Sequence, residues 1–269
     1  MSRIEATFEA LRRKKEKGLV VYLTAGDPDA RHSLSYLEAA AEGGADLIEL
    51  GVPFSDPTAD GPTIQAAAAR ALGGGMTVPG VLELAARFRE KHDTPLVLFG
   101  YYNPFLRYGA ARLCRDAAKA GADGFLVVDL PAEESGEMAP EARKAGLDWI
   151  ALATPTTGEE RLAAIAKGGS GFLYVVSVTG ITGARTALPP GLSAWVRKVK
   201  GHVSLPVAVG FGISTPEMAR AAAMHADAVV VGSAAVSIVA KHGKGPGGPR
   251  ELSKFVAALK GALRASKGV

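Results

Sequence analysis

The chain is poor in most of the residue patterns that mark specialised proteins. It holds one cysteine, Cys114, in 269 residues. No internal disulfide can therefore form, and a reducing compartment is expected. Cys114 falls inside a helical pattern, where a packed thiol is the expectation rather than a nucleophile. Aromatic residues make up only 6% of the chain, and none is interleaved with a basic patch of the kind that grips nucleic acid. Charge of one sign is also lacking: 31 basic against 27 acidic residues leave a net +4. The cluster Arg12-Arg13-Lys14-Lys15 shares its helical segment with Glu9 and Glu16 and reads as a solvated face. No apolar run approaches membrane-spanning length, and the first residues lack a signal peptide's apolar core. These absences set aside a disulfide scaffold, a nucleic-acid binder and a membrane protein. A cytoplasmic location is the expectation.

What is present is a hydrophobic fraction of 48% arranged in short repeating units. Residues 2–17 carry Ile4, Phe8 and Leu11 on one helical face. Leu19 to Leu23 is a continuous apolar run, the mark of a strand covered on both sides. Then a turn recurs: Gly44-Ala45-Asp46, Gly121-Ala122-Asp123, Gly146-Leu147-Asp148 and His225-Ala226-Asp227, each between a helical segment and an apolar run. The four aspartates are spaced by 77, 25 and 79 residues, close to multiples of a unit of on the order of 25 residues, as expected of βα repeats. Further apolar runs at 96–100, 171–176 and 205–209 bring the number of predicted strands to eight. Eight alternating units in one chain predict a single α/β domain over 1–269, a (β/α)8 TIM barrel with an extra N-terminal helix. An open doubly wound sheet is the alternative. Lys241 to Pro249 is rich in Gly and Lys and reads as a loop before a last helix at 250–265.

In a barrel of this kind the chemistry sits at the C-terminal ends of the strands. No lysine stands there, which argues against Schiff-base chemistry. The five histidines, His32, His92, His202, His225 and His242, fall in helices or at helix ends and form no ligand pair with a carboxylate, so no metal is expected. Glycine-rich loops follow strands six, seven and eight, the last two at helix starts, and together they predict a phosphate site. The acid/base groups left are carboxylates in ELGVPFSDPTADGP, Glu49 to Pro62. Alternation along strand two turns Leu47 and Glu49 to one face and Ile48 and Leu50 to the helices. Glu49 then faces the barrel mouth, where partial burial raises its pKa toward that of a proton shuttle. A purely structural carboxylate is the other reading. Asp60, nearer solvent on the loop, suits hydrogen bonding to a polarised N–H or, equally, capping of the helix that follows. Asp56 before Pro57 reads as a turn former.

Glu49 to Gln65 closely resembles the signature of the tryptophan synthase alpha subunit family. The resemblance extends through Tyr22 to Pro28, Tyr101-Tyr102-Asn103-Pro104, Asp129-Leu130-Pro131, Thr179 to Gly183 and Gly210 to Ile213, and covers about residues 4 to 265. It implies a lyase of tryptophan biosynthesis that cleaves indole-3-glycerol phosphate to indole and glyceraldehyde 3-phosphate. It implies catalytic roles for Glu49 and Asp60, and substrate binding by Tyr174, Thr182, Gly183, Gly212, Gly232 and Ser233. It also implies an α2β2 assembly with a beta subunit, met through Asp56, Pro57, Asn103 and Pro131. Pyridoxal phosphate belongs to that beta subunit, and no cofactor is expected in this chain. Thr58 and Val178 depart from the commoner residues of the family, near the strand-two loop and the strand-six lid. Two rivals remain from the residues alone: another phosphate-binding barrel enzyme, and a non-catalytic regulatory barrel.

Overall fold

The structure is a computed structural model and describes residues 1–176, 190–210 and 212–264. Its strands are β1 (Gly18–Thr24), β2 (Leu47–Gly51), β3 (Leu96–Gly100), β4 (Gly124–Val127), β5 (Asp148–Trp149), β6 (Ala151–Ala153), β7 (Leu173–Val176), β8 (Val207–Gly210) and β9 (Ala228–Val231). They form one parallel sheet in the order β5-β4-β3-β2-β1-β9-β8-β7-β6. The two ends of that order, β5 and β6, are separated in the chain by Ile150 alone, so the sheet closes on itself. The expected eight-strand barrel is present, with its fifth strand divided. Its first half pairs with β4 and its second half with β7, because one short segment serves neighbours on both sides.

The barrel interior is filled by inward-facing residues of the strands and their flanks, Val20, Leu47, Val97, Leu126, Ile150, Phe172, Ala208 and Val230, which form one buried cluster. The N-terminal helix Arg3–Lys14 stoppers the lower end, sending Ile4, Phe8 and Leu11 into that same cluster. Ser2 caps it through a reciprocal bond with Glu5, which satisfies two N–H groups that the first turn would otherwise leave bare. The outward-facing residues Ile48, Leu50, Leu96 and Leu98 instead join a larger cluster beneath the helices. Both strand faces are therefore dry, which is why these strands are apolar throughout.

The recurring turn aspartates have a job at the lower rim. The Leu19 N–H donates to Asp46 Oδ2 at 2.7 Å, the Leu96 N–H to Asp123 Oδ2 at 2.8 Å and the Val207 N–H to Asp227 Oδ2 at 2.9 Å. In return the backbone N–H of each aspartate donates to the carbonyl of Leu19, Leu96 or Val207. Each carboxylate thus clips the start of the neighbouring strand and fixes its register. A cation closes each clip: Lys260 on Asp46, Arg89 on Asp123 and Lys200 on Asp227. Asp148 differs, accepting from the Ser2 hydroxyl at 2.6 Å.

The Lys241–Pro249 stretch is only partly loop. Lys241 and His242 complete the helix Ser233–His242, and the last helix, Gly248–Arg264, already includes Pro249. Proline in the first turn has no N–H to lose and its ring fits helical φ, so Pro249 marks a helix start there.

Candidate active site

Glu49 stands at the upper end of β2 and faces the interior, as alternation requires. Its burial is greater than expected: the residue is 1% exposed, and neither carboxylate oxygen has a hydrogen-bond partner among the described residues. An isolated buried carboxylate resists ionisation, and burial pushes the Glu49 pKa up to about 8. A structural carboxylate would have a partner, so its isolation favours the functional reading.

Asp60 is also more buried than its loop position suggested, at 5% exposure. The loop after β2 turns back over the barrel mouth. The Val52 N–H donates to the Phe99 carbonyl at 2.8 Å, and the Asp60 N–H to the Pro57 carbonyl at 3.0 Å. Gln65 Nε2 donates to the Asp60 carbonyl at 2.8 Å. The Asp60 side chain is not the N-cap of the helix Pro62–Gly73, since Gly61 holds that position. The carboxylate instead accepts from the Tyr101 hydroxyl at 3.0 Å. Burial raises its pKa to about 6, and the Tyr101 bond opposes that rise.

Three aromatic residues line the floor around these acids. Tyr22 on β1 meets Phe99 on β3 edge to face, with centroids 5.1 Å apart, and packs with Ile64, Ala67 and Val236. Its ring lies over Gly51, where a Cβ would collide with the hydroxyl. Tyr174 on β7 leans over Gly210 in the same way. The pairing is alike in both cases: Tyr22 is opposite Glu49 and leans to Gly51, and Tyr174 is opposite Ala208 and leans to Gly210. Burial and the nearby Glu49 and Asp60 hold the Tyr174 phenol neutral, well above its ordinary pKa.

After β8, on the far side of β1 and β9 from the acids, Gly212 has φ +49°, a left-handed conformation that glycine takes without penalty. Gly232 is the N-cap and Ser233 the first residue of the helix Ser233–His242, and among the described residues its N-terminus has no side-chain cap. Uncapped N–H groups at a helix start suit an anion. Thr182 and Gly183 lie outside the described residues. Cys114 is buried, and burial pushes its thiol up to about 11, in keeping with a packed thiol.

The expected partner surface is on the upper rim. Asp56, Asn103 and Pro131 are exposed and Pro57 is half-buried, on the segments that follow β2, β3 and β4. The Tyr102 N–H donates to Asp129 Oδ1 at 2.7 Å and ties the last two of these together. Leu106, on the helix Tyr102–Tyr108 that carries Asn103, is 51% exposed and apolar. Tyr101, directly after β3, is 3% exposed and turns inward toward Asp60.

A closed parallel barrel, a pair of buried carboxylates and a glycine-rich helix start two strands along from them together define a barrel enzyme for acid–base chemistry. Comparison with known proteins gives the family. The family model for the tryptophan synthase alpha chain matches residues 8–263, and the chain belongs to that family. It is 52% identical to the tryptophan synthase alpha chain of Citrifermentans bemidjiense over 99% of this chain and 100% of that one. It is 50% identical to that of Geotalea uraniireducens over the full length of both. The crystal structure of the alpha chain from Legionella pneumophila superposes with a TM-score of 0.91 at 36% identity, covering 100% of each chain. Mycobacterium tuberculosis tryptophan synthase gives a TM-score of 0.90 at 35% identity over 98% of each chain. The chain is accordingly a lyase of tryptophan biosynthesis, of the family that cleaves indole-3-glycerol phosphate to indole and glyceraldehyde 3-phosphate.

Proposed function

We propose that Glu49 and Asp60 divide the acid–base work of this cleavage, and that the observation carrying the assignment is the buried Glu49 carboxyl, which has no hydrogen-bond partner among the described residues. With a pKa of about 8 against about 6 for Asp60, Glu49 holds a proton near neutral pH while Asp60 is ionised. Two carboxyls whose surroundings separate their pKa values are suited to separate roles. Glu49 gives its proton to ring C3 of the substrate, and the ring becomes an indoleninium-like cation. Asp60 accepts a hydrogen bond from the indole N–H, whose acidity grows as that cation forms. Glu49, now a carboxylate, removes the proton of the side-chain hydroxyl next to the ring. The C–C bond breaks, its electrons return to the ring, and indole and the aldehyde leave with Glu49 protonated again. No lysine, metal or resident cofactor is required, since the ring itself takes up the electrons.

Gly212, Gly232 and Ser233, with Thr182 and Gly183 from the strand-six loop, are proposed to hold the phosphate. The uncapped start of Ser233–His242 supports this. Tyr174 is proposed to border the substrate from β7. Asp56, Pro57, Asn103 and Pro131 are proposed to meet a beta subunit in an α2β2 assembly, with pyridoxal phosphate confined to that partner. No described helix is long and apolar enough to cross a membrane, and a cytoplasmic location is proposed. The test is indole release from indole-3-glycerol phosphate by the isolated chain. Glu49→Gln should lower turnover by at least the ~10²–10⁴-fold of one general acid–base role while substrate affinity stays within a few fold. A variant keeping most of its turnover would sink the assignment.

A further inference from the structure

Tyr101 connects the partner-facing rim to the proposed acid–base pair. It ends the turn after β3 and is the N-cap residue of the helix Tyr102–Tyr108. Its hydroxyl makes two bonds to adjacent residues of the strand-two loop. It donates to Asp60 Oδ2 at 3.0 Å and accepts from the Ala59 N–H at 3.0 Å. On the other side its ring packs against Phe54 from the same loop, with centroids 5.4 Å apart at 37°. The loop is thus held by Tyr101 at Phe54, near its start, and at Ala59 and Asp60, near its end. Between these points lie the exposed Ser55 and Asp56. Loops carry their ends on the surrounding scaffold, and a carboxylate on one points reproducibly only if another group fixes it.

We infer that Tyr101 is a positioning residue for Asp60: the hydroxyl fixes the carboxylate rotamer and the loop that bears it, and Tyr101 acts on the reaction through Asp60 rather than on the substrate directly. The inference rests on the acid–base reading of Asp60. One hydroxyl bridging a backbone N–H and the carboxylate next to it sets the loop and the side chain at once. A ring serving only as an apolar wall would not need either bond. The groups facing Asp60 among the described residues are Tyr101 from the β3 end, Tyr22 from β1 and Tyr174 from β7, with Glu49 beside the last two. None of these is a cation, so the Tyr101 hydroxyl is the group here that favours the ionised carboxylate.

The test is a cycle of Tyr101→Phe, Asp60→Asn and the double variant, each assayed for indole release across pH 5 to 9, with thermal melting as the check that each variant folds. A hydrogen bond to an ionised group is worth about a tenfold to hundredfold factor. Tyr101→Phe should therefore lower kcat by about that much with KM within a few fold. The acid limb of its profile should move to higher pH, because loss of a donor makes the ionised carboxylate harder to form. On the Asp60→Asn background the same change should cost no more than about twofold, since the group it acts through is already altered. Full additivity in the double variant, or a Tyr101→Phe enzyme with wild-type kcat and an unmoved acid limb, would overturn the inference. Wild-type turnover by Asp60→Asn alone would instead remove Asp60 from the chemistry, which is a failure of the underlying reading and is recognised without Tyr101.

Discussion

Replacing Glu49 by glutamine is expected to stabilise the fold while destroying activity, and to stabilise it most in alkali. Burial without a partner lifts the Glu49 pKa from the ordinary glutamate value of 4.5 to about 8. The folded chain then holds this proton more tightly than the unfolded chain does. The stability that goes with the protonated carboxyl is fully present below about pH 4.5 and is lost as pH rises to and through about 8. At roughly 1.4 kcal/mol per unit, the loss is on the order of 5 kcal/mol, an upper bound because a buried site relaxes and admits water. Glutamine cannot ionise and escapes it. A gain of a few kcal/mol corresponds to about 5–15 °C in Tm for a chain of this size. The assay is reversible unfolding of wild type and Glu49→Gln by heat or urea at pH 5 and pH 9. The gap between the two proteins should be small at pH 5 and should widen in favour of the variant by pH 9. A gap that is flat with pH, or that widens toward acid, would show that Glu49 is ionised or paired in the folded chain, and the reasoning would fail.

Asp60→Asn should lose rate less completely than Glu49→Gln, because it removes charge stabilisation rather than the proton donor; equal wild-type rates at saturating substrate would contradict this. Gly51→Ala places a methyl against the Tyr22 hydroxyl, so it should destabilise the fold by about 1–3 kcal/mol and depress turnover through a displaced Tyr22, read from denaturant melts and the indole assay together. Lys260→Met removes the cation from Asp46, a pair with Nζ and Oδ2 at 2.7 Å in which Lys260 is buried and Asp46 half-buried. Leaving that half-buried carboxylate uncompensated should cost at most about 3–5 kcal/mol without changing kcat in the protein that remains folded; a variant as stable as wild type would mean Asp46 needs no cation.

Periodicity carried much of this structure. Alternation alone turned Glu49 inward and Ile48 and Leu50 outward, since side chains on a strand must alternate, and the Gly–Ala–Asp turns marked where strands begin. What alternation could not supply is where a loop goes. Asp60 was read as near solvent because loops usually are, but the bond from Val52 to Phe99 and the one from Tyr101 fold its loop over the mouth. The contacts of Tyr101 were not legible for the same reason: its partners are Ala59 and Asp60, some forty positions away in sequence. The turn aspartates were legible as punctuation but not as clips, because the N–H groups they accept from belong to other strands. The fifth strand read as one run, and only its two sets of neighbours divide it. Pro249 was read as loop where it opens a helix, as proline's missing N–H allows in a first turn.

In the proposed division of roles Glu49 works protonated and Asp60 ionised. The pH dependence of kcat/KM for indole release by the isolated chain tests this. A bell is expected, with an ascending limb near the Asp60 pKa of about 6 and a descending limb near the Glu49 pKa of about 8. Glu49→Gln should lose the descending limb along with nearly all its rate. A profile that keeps rising through pH 9, or a descending limb that survives in an active Glu49→Gln enzyme, would contradict it.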